Sequence, residues 1–169
     1  MRAVTVSEQM PLSSQEVFAL LHNYERRLEW DTLLKKAELT RGHSEAGKGA
    51  TSLCVGRPFF GLFGLETRYV TYREGEIAAV EMINKPPFFA EFAASIRHED
   101  NELGSIATYK FRFTARPFFL RGLLEPLMLR ALRAETAKRL EALSQFLSTE
   151  AREGGLGEAR GEEDVGGDY

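Results

Sequence analysis

The sequence has little cysteine, no long apolar run and no strong excess of one charge. Its 169 residues include one cysteine, Cys54, which excludes an internal disulfide and is typical of a reducing compartment. No stretch of about 18 consecutive apolar residues occurs, so no segment is predicted to span a bilayer. Residues 1–14, MRAVTVSEQMPLSS, lack the continuous apolar region of a secretory signal. These absences favour a cytoplasmic protein.

The net charge of −3 is unevenly distributed. Residues 151–169 hold six acids, two bases and six of the 15 glycines, which leaves the rest of the chain close to neutral. A near-neutral domain has no electrostatic footprint for DNA or RNA, so we expect no nucleic-acid partner. The last segment has too few large apolar residues to offset its ordering entropy. We therefore expect one domain over residues 1–150 and a disordered, acidic, glycine-rich tail over residues 151–169.

The N-terminal part predicts a strand followed by two short helices. Residues 2–8, RAVTVSE, alternate and are rich in β-branched side chains. Ser13 or Ser14 is suited to cap a helix, because apolar residues recur after it at three- and four-residue steps. A break at residues 22–23 then separates this helix from a second short helix that carries Trp30.

The middle and C-terminal parts predict an antiparallel meander and a long helix. Strands are predicted at residues 34–41, 49–56, 64–74, 76–84, 90–99 and 104–115, with turn residues between them. Leucines at helical spacing predict a helix over residues 119–149, kinked or interrupted at Pro126. A sheet has one face to bury, and this helix is large enough to cover it. The predicted fold is α+β, a curved seven-stranded antiparallel sheet wrapped around a long C-terminal helix.

Proline followed by two phenylalanines occurs at residues 58–60, 87–89 and 117–119. The first residues of these triplets are 29 and 30 positions apart, which is the length of two strands and their turn. In a meander, alternate connections lie at the same end of the sheet. We therefore expect all six rings near one end of the sheet, beside the start of the long helix.

This order of elements resembles the START-related SRPBCC superfamily of helix-grip proteins, and within it the polyketide cyclase/dehydrase and lipid-transport branch. The resemblance covers residues 1–148 and includes the segment PLSSQEVFALLHNYERRLEWDTLL and the leucine-rich terminal helix. The matching positions are Pro11, Val17, Phe18, Trp30 and Asp31. The resemblance implies an apolar cavity between sheet and helix, open near the Pro-Phe-Phe loops. Because the superfamily contains carriers, cyclases and oxygenase domains, it selects no single function.

A surplus of aromatic residues on the strands and loops predicts a hydrophobic ligand site. The candidate ligand-binding residues are Phe59, Phe60, Phe63, Tyr69, Phe88, Phe89, Phe92, Tyr109, Phe111, Phe118, Phe119, Leu123 and Leu127. Pockets for apolar small molecules have such linings, with a few polar groups to orient the guest. The alternative is that the strand aromatics fill the core. We expect binding or transport of a lipid, isoprenoid quinone or polyketide-like molecule, without a metal or organic cofactor.

An enzyme is the alternative function, a polyketide cyclase or dehydratase that uses acid–base groups in the same cavity. Tyr69 and Tyr109 offer hydroxyl groups, and Glu66 with Arg68 forms either a buried acid–base pair or a solvated pair on the outer face. No catalytic residue is carried over from the resembling family. The histidines and Cys54 have no metal-ligand spacing, so no metal site is predicted.

The aromatic rim can also serve as a contact surface. Arg57, Arg116 and Arg121 lie beside the Pro-Phe-Phe triplets, as expected of apolar side chains that enter a membrane surface while cations meet the headgroups. A weaker alternative is a protein partner that covers the same rim. We therefore expect a hydrophobic small molecule as the main partner and transient membrane contact as a second.

Overall fold

A computed structural model of the chain describes residues 2–57 and 64–161. The strands are β1 (Arg2–Met10), β2 (Leu34–Thr40), β3 (Thr51–Gly56), β4 (Gly64–Arg73), β5 (Ile77–Met82), β6 (Phe89–Asn101) and β7 (Gly104–Ala115). The helices are α1 (Ser14–His22), α2 (Arg27–Trp30), a 3₁₀ turn (Phe118–Leu120) and α3 (Arg121–Gly161). Within these residues the seven strands form one antiparallel sheet in the order β1-β7-β6-β5-β4-β3-β2. The predicted fold class and element order are confirmed. Of the helices described, none is long and apolar enough to cross a membrane.

The predicted ends of α1 are confirmed by its caps. Ser13 Oγ accepts a hydrogen bond from the Glu16 backbone N–H at 3.4 Å, and Glu16 Oε2 accepts one from the Ser13 N–H at 3.1 Å. This reciprocal pair satisfies two backbone donors that the helix itself cannot. At the other end, the Asn23 N–H donates to the Leu20 carbonyl at 3.1 Å. The caps place Val17, Phe18 and the rest of the apolar stripe against the sheet.

Alternation along the strands separates a buried face from a solvated one. On β7, Ala107, Phe111 and Phe113 are buried, whereas Lys110 and Arg112 are exposed. The buried side chains form two core clusters. One lies beneath α1 and the C-terminal part of α3, and the other lies around Phe111 and Phe113 beneath the N-terminal part of α3. The inward face of the sheet therefore has helical cover along its length.

The meander places alternate connections at the same end of the sheet, as predicted. Two of the connections that carry Pro-Phe-Phe are joined directly, because the Arg116 N–H donates to the Phe88 carbonyl at 3.0 Å. Phe118 begins the 3₁₀ turn that leads from this end into α3. The triplet at 58–60 lies outside the described residues, so its expected position there stays a prediction.

Helix α3 is longer than predicted. Pro126 lies inside it and does not end it, although proline removes the hydrogen bond that residue 126 would donate to Gly122. Glu125 ties this part of the helix to β7, since its Oε1 accepts a bond from the Ala115 N–H at 3.3 Å. The helix continues to Gly161, beyond the predicted domain boundary at residue 150. Residues 162–169 lie outside the described residues, and a disordered tail stays a prediction.

Candidate functional site

A cavity of about 230 Å³ lies between the inward face of the sheet, α1 and α3. Its walls come from α1, from strands β3 to β7, from the segment after α2 and from the middle of α3. An apolar cavity of roughly 150 Å³ is enough to bind benzene. The space is therefore large enough for a small organic molecule.

Much of the wall is apolar. Leucine, valine, alanine and phenylalanine side chains line it, from Leu33 and Leu34 after α2 to Leu132 on α3. Three rings form a continuous surface: Phe89 and Phe92 meet edge to face at 6.0 Å between centroids, and Phe92 stacks on Phe111 at 6.3 Å. Strand alternation points Phe92 and Phe111 inward, and the irregular register between Phe89 and Glu91 on β6 brings Phe89 to the same face. The arrangement suits an aromatic or aliphatic guest.

A hydrogen-bonded polar group interrupts this wall. The Tyr69 hydroxyl lies 2.9 Å from His22 Nδ1 and 3.0 Å from the Tyr24 hydroxyl. Ser52 and Thr67 join their hydroxyls at 3.1 Å on the neighbouring strands. All five side chains line the cavity. The His22 Nε2 atom is buried and has no hydrogen-bond partner among the described residues.

Burial keeps this polar group uncharged at neutral pH. Burial, followed by the charge of Arg27, holds the pKa of His22 well below its usual value of 6.5. Burial also raises the pKa of Tyr24, and it raises the pKa of Tyr69 well above 10.0. His22 is therefore a neutral imidazole, and both tyrosines are protonated. Neutral hydroxyls can donate hydrogen bonds to a ligand carbonyl, and a neutral imidazole can accept a proton.

A second polar group brings two cationic side chains, Arg27 and Arg139, to the cavity wall, with the carboxylate of Asp31 behind them. Arg27 Nε donates to Asp31 Oδ2 at 3.1 Å, and Arg139 reaches the same oxygen through Nε at 3.0 Å and Nη2 at 2.8 Å. Asp31 is completely buried. Burial opposes its ionisation, but the charges and hydrogen bonds of Arg139 and Arg27 outweigh burial and hold the pKa of the carboxyl below 3.8. Asp31 is therefore a carboxylate shared by two guanidinium groups.

Five of the sequence-predicted site residues come together on the cavity wall: Tyr69, Phe89, Phe92, Tyr109 and Phe111. Five others lie on the outer surface, with exposed fractions of 47% for Phe88, 80% for Phe118, 71% for Phe119, 73% for Leu123 and 66% for Leu127. Phe59, Phe60 and Phe63 lie outside the described residues. The N-terminal part of α3 packs inward through Leu124, Met128, Leu129 and Leu132. Because Leu123 and Leu127 project from the other side of the same turns, they do not reach the cavity.

Of the two alternatives for Glu66 and Arg68, the buried acid–base pair is wrong, and the solvated position on the outer face is the one that the structure has. Glu66 Oε1 accepts a bond from Arg41 Nε at 3.0 Å, and Arg68 forms its ion pair with Glu81 on the next strand. Neither side chain lines the cavity. Their i, i+2 spacing correctly predicted a shared face, but that face is the outer one.

Sequence reasoning missed the most polar residues of the cavity. His22 sits four residues after Phe18, and their rings meet at 4.4 Å between centroids. That helical spacing could have placed His22 on the buried face of α1. Arg139 gave no such signal, because basic residues on α3 are also expected on its solvated face. Its partner Asp31 is 108 residues away in the sequence.

Comparison with known proteins agrees with this architecture. The family model described as polyketide cyclase / dehydrase and lipid transport matches residues 1–145. No curated protein matches the chain. Among solved structures, the Zhui aromatase/cyclase from Streptomyces sp. R1128 has a TM-score of 0.71 at 13% identity, over 89% of this chain and 95% of that one.

Two further structures share the fold. TTHA0849 from Thermus thermophilus has a TM-score of 0.70 at 12% identity, over 88% of this chain and 99% of that one. StfQ, a di-domain ARO/CYC protein from the steffimycin biosynthetic pathway, has a TM-score of 0.72 at 12% identity. The match covers 88% of this chain and 52% of StfQ, so this chain spans about half of that protein. Such identities show the fold alone; the family match shows that the chain belongs to the polyketide cyclase/dehydrase and lipid-transport family, with the predicted helix-grip architecture.

Proposed function

We propose that the chain binds and carries a hydrophobic small molecule, such as a lipid, an isoprenoid quinone or a polyketide-like aromatic, in the cavity beneath α3. The observation that supports this most directly is the cavity of about 230 Å³ with an aromatic and aliphatic wall. Burial of one Leu- or Phe-sized group contributes roughly 1.5–3 kcal/mol. Several such contacts suffice for micromolar affinity, about −8 kcal/mol, after ordering costs.

Native mass spectrometry of the purified full chain tests this proposal. We expect an additional mass that organic extraction removes. Ala94→Phe places a ring inside the cavity, because Ala94 is buried and lines the wall. Ala79→Phe is the matched control, since Ala79 lies between the cavity-lining Ala78 and Val80 and so faces the other side of β5. Loss of the bound mass in Ala94→Phe and its retention in Ala79→Phe support the proposal. Retention in both variants contradicts it.

A catalytic role is the second candidate, and the arrangement of His22, Tyr69 and Tyr24 favours it. The Tyr24 hydroxyl can donate a hydrogen bond to a ketone oxygen, while the Tyr69 oxygen takes the α-proton and passes its own hydroxyl proton to Nδ1 of neutral His22. Such a group would promote proton removal next to a carbonyl, the step that cyclisation and dehydration have in common. No metal is needed for this chemistry.

Deuterium exchange tests the catalytic candidate. 2-Tetralone is incubated with the protein in D₂O, and loss of its α-proton signals is followed by NMR. We expect exchange above the buffer rate with the wild type and a reduction of at least tenfold with Tyr69→Phe. Exchange at the buffer rate, with 2-tetralone shown to bind, would leave the carrier function and exclude this catalytic one.

The exposed side chains at the start of α3, which we call the rim, suit contact with an anionic membrane surface during ligand transfer. Phe118, Phe119 and Leu123 are mostly exposed at the start of α3. The cationic residues Lys85 and Arg116 lie on the adjoining connections. Apolar side chains flanked by cations are the usual composition of a surface that enters the headgroup region of anionic lipids.

A further inference from the structure

The charges around the cavity do not balance. Arg27 and Arg139 share Asp31 as their carboxylate partner, and both bind the same oxygen, Oδ2. Arg27 also donates through Nη1 to the Leu21 carbonyl at 2.6 Å, and its guanidinium lies 4.6 Å from the centre of the Trp30 ring. These contacts fix the orientation of Arg27 without supplying a second negative charge. The cluster therefore carries one positive charge in excess.

Other charged residues on the wall do not remove this excess. Arg57 and Glu135 also line the cavity, but the ion-pair partner of Glu135 is Lys138 at 3.4 Å, so Glu135 does not neutralise the excess. Among the described residues, no hydrogen-bond partner is found for Nη2 of Arg27 or Nη1 of Arg139. Both arginines therefore line the cavity, and each guanidinium group has N–H donors without a partner among the described residues.

We infer that the ligand is a hydrophobic carboxylic acid, whose carboxylate binds the free N–H groups of Arg27 and Arg139 while its apolar part lies against Phe89, Phe92 and Phe111. This inference rests on the proposed function and adds the class of ligand. A buried charge without a partner is costly, so a singly charged anion is the guest that neutralises the cluster. A phosphate monoester would bring more negative charge than the excess requires.

The geometry of a carboxylate also suits this site. A guanidinium group presents its N–H donors in a planar fork, which matches the two oxygens of a carboxylate. The neutral Tyr109 hydroxyl lines the same cavity and contributes no competing charge, because burial raises the pKa of that phenol. The cavity therefore combines a cationic anchor with an apolar wall, as required for a molecule with one acidic group.

A pair of probes that differ in charge and little in shape tests the inference. 2-Naphthoic acid and 2-naphthamide are titrated into the full-length chain at pH 7.5 and followed by calorimetry. We expect the acid to bind at least tenfold more tightly than the amide. Equal affinity of the two overturns the inference and leaves the proposed function intact. Binding of neither probe contradicts the proposed function, and the inference with it.

Variants of Arg139 test whether this arginine causes the preference for the acid over the amide. Arg139→Met leaves Asp31 paired with Arg27, so the remaining cluster is balanced and the fold should persist. We expect this variant to lose the preference for the acid, so that acid and amide bind with equal affinity. Arg133→Met is the matched control, because Arg133 is exposed on the same helix. A preference for the acid that survives in folded Arg139→Met overturns the inference. If that variant does not fold, Arg139→Lys replaces it, since it keeps the charge and loses the fork.

Discussion

Leucines recur at three- and four-residue steps in two stretches of α3, residues 121–135 and 136–150, which we call its N-terminal and C-terminal halves, but the surroundings of the two stretches differ. In the C-terminal half, residues 136–150, Leu140, Leu143 and Leu147 are buried in the larger core cluster beneath α1. In the N-terminal half, residues 121–135, Leu123 and Leu127 are exposed. The C-terminal half also donates from Ser144 Oγ to the carbonyl of Gln9 on β1 at 2.9 Å. The difference shows that a leucine repeat predicts a helix but does not say which leucines have a neighbour to pack against.

The outer side of the N-terminal half carries apolar side chains that folding leaves exposed, among them Leu123 and Leu127, whereas its inner side packs on the core. Each fully buried side chain of this size would contribute roughly 1.5–3 kcal/mol, and these residues lack that contribution. Monomeric proteins rarely keep a contiguous apolar patch without a use for it. Both halves therefore stabilise the fold through their inner sides, and we propose that the outer side of the N-terminal half, which carries Leu123 and Leu127, is a contact surface.

Replacement of Asp31, which pairs with Arg139 near the junction between the halves, should cause the largest loss of stability. Arg139 attaches α3 to Asp31 at the end of α2, and Asp31→Ala would leave Arg139 and Arg27 without their carboxylate. Loss of one partner from a buried ionic group costs about 3–5 kcal/mol. Chemical denaturation should show a decrease of this size in the free energy of unfolding. Glu29→Ala is the control, since Glu29 pairs with Arg26 on the exposed surface and should matter little. Equal effects of the two changes would contradict this account of the junction.

Leucine truncation in each half tests the comparison directly. Leu143→Ala removes a fully buried side chain and should lower the free energy of unfolding by about 2–5 kcal/mol. Leu123→Ala removes a side chain that is 73% exposed and should change it by less than about 0.5 kcal/mol. Urea titrations give both values, provided that the free energy of unfolding depends on urea concentration with the same slope in each variant. A similar loss in both variants would mean that the outer side of the N-terminal half, represented by Leu123, also supports the core.

Lowering the pH should have the next largest effect on the free energy of unfolding, through the buried histidines. Burial lowers the pKa of His98 to about 4, and burial holds that of His22 well below 6.5. Well above pH 6.5 both histidines are neutral in the folded and unfolded states, so they cause no pH dependence there. Between pH 6.5 and about 4 the unfolded chain binds protons that the folded chain does not. The free energy of unfolding should therefore decrease as the pH is lowered from 6.5 to about 4, by up to about 1.4 kcal/mol per pH unit for each histidine.

Replacement of His98 separates this effect from general acid sensitivity. His98→Leu removes one proton acceptor from the core around Phe18, whose ring lies 5.6 Å from that of His98. The loss of stability between pH 6.5 and 4 should become shallower. His43→Leu changes an exposed histidine and should keep the steep profile of the wild type. Identical profiles in all three proteins would show that the buried histidines do not set the pH dependence.

The fold was predictable from sequence because its signals are local. Six strands separated by turn residues, a serine cap at Ser13 and a break at Asn23 each depend on a few neighbouring residues. Strand alternation similarly predicted that Tyr109 and Phe111 face the same side. Element ends differ by a few residues, as at β6, which begins at Phe89 and ends at Asn101. These small errors did not change which face of the sheet is buried.

The polar part of the cavity was not predictable, because it depends on contacts between distant segments. Tyr69 is 47 residues from His22, and its hydroxyl joins β4 to α1. A charged residue such as Arg139 carries no mark in the sequence that separates a buried partner from a solvated one. Its role follows from the position of Asp31, which only the packing of α2 against α3 determines. Leu123 and Leu127 failed as cavity residues for the related reason that the leucine stripe of α3 is wider than its buried face.

Replacement of the exposed rim side chains should have the smallest effect on stability and a large effect on membrane binding. Phe118→Ser, Phe119→Ser and Leu123→Ser together remove three mostly exposed apolar side chains from the rim. Because these side chains bury little surface on folding, the free energy of unfolding should change by less than about 0.5 kcal/mol for each. Cosedimentation with vesicles of phosphatidylcholine and phosphatidylserine should fall at least tenfold, since the triple variant loses the groups that enter the headgroup region.

A control with the same number of exposed apolar residues removed elsewhere makes this result specific. Leu28→Ser, Val70→Ser and Leu103→Ser change side chains that are 49%, 39% and 74% exposed, outside the rim. This variant should bind the vesicles as the wild type does. A different outcome is that the wild type shows no vesicle binding but self-associates as its concentration rises. If the rim variant then does not self-associate, the N-terminal half of α3 contacts a protein surface, and the membrane role is wrong. Loss of vesicle binding in both variants would show that general apolar exposure, rather than the rim, drives the contact.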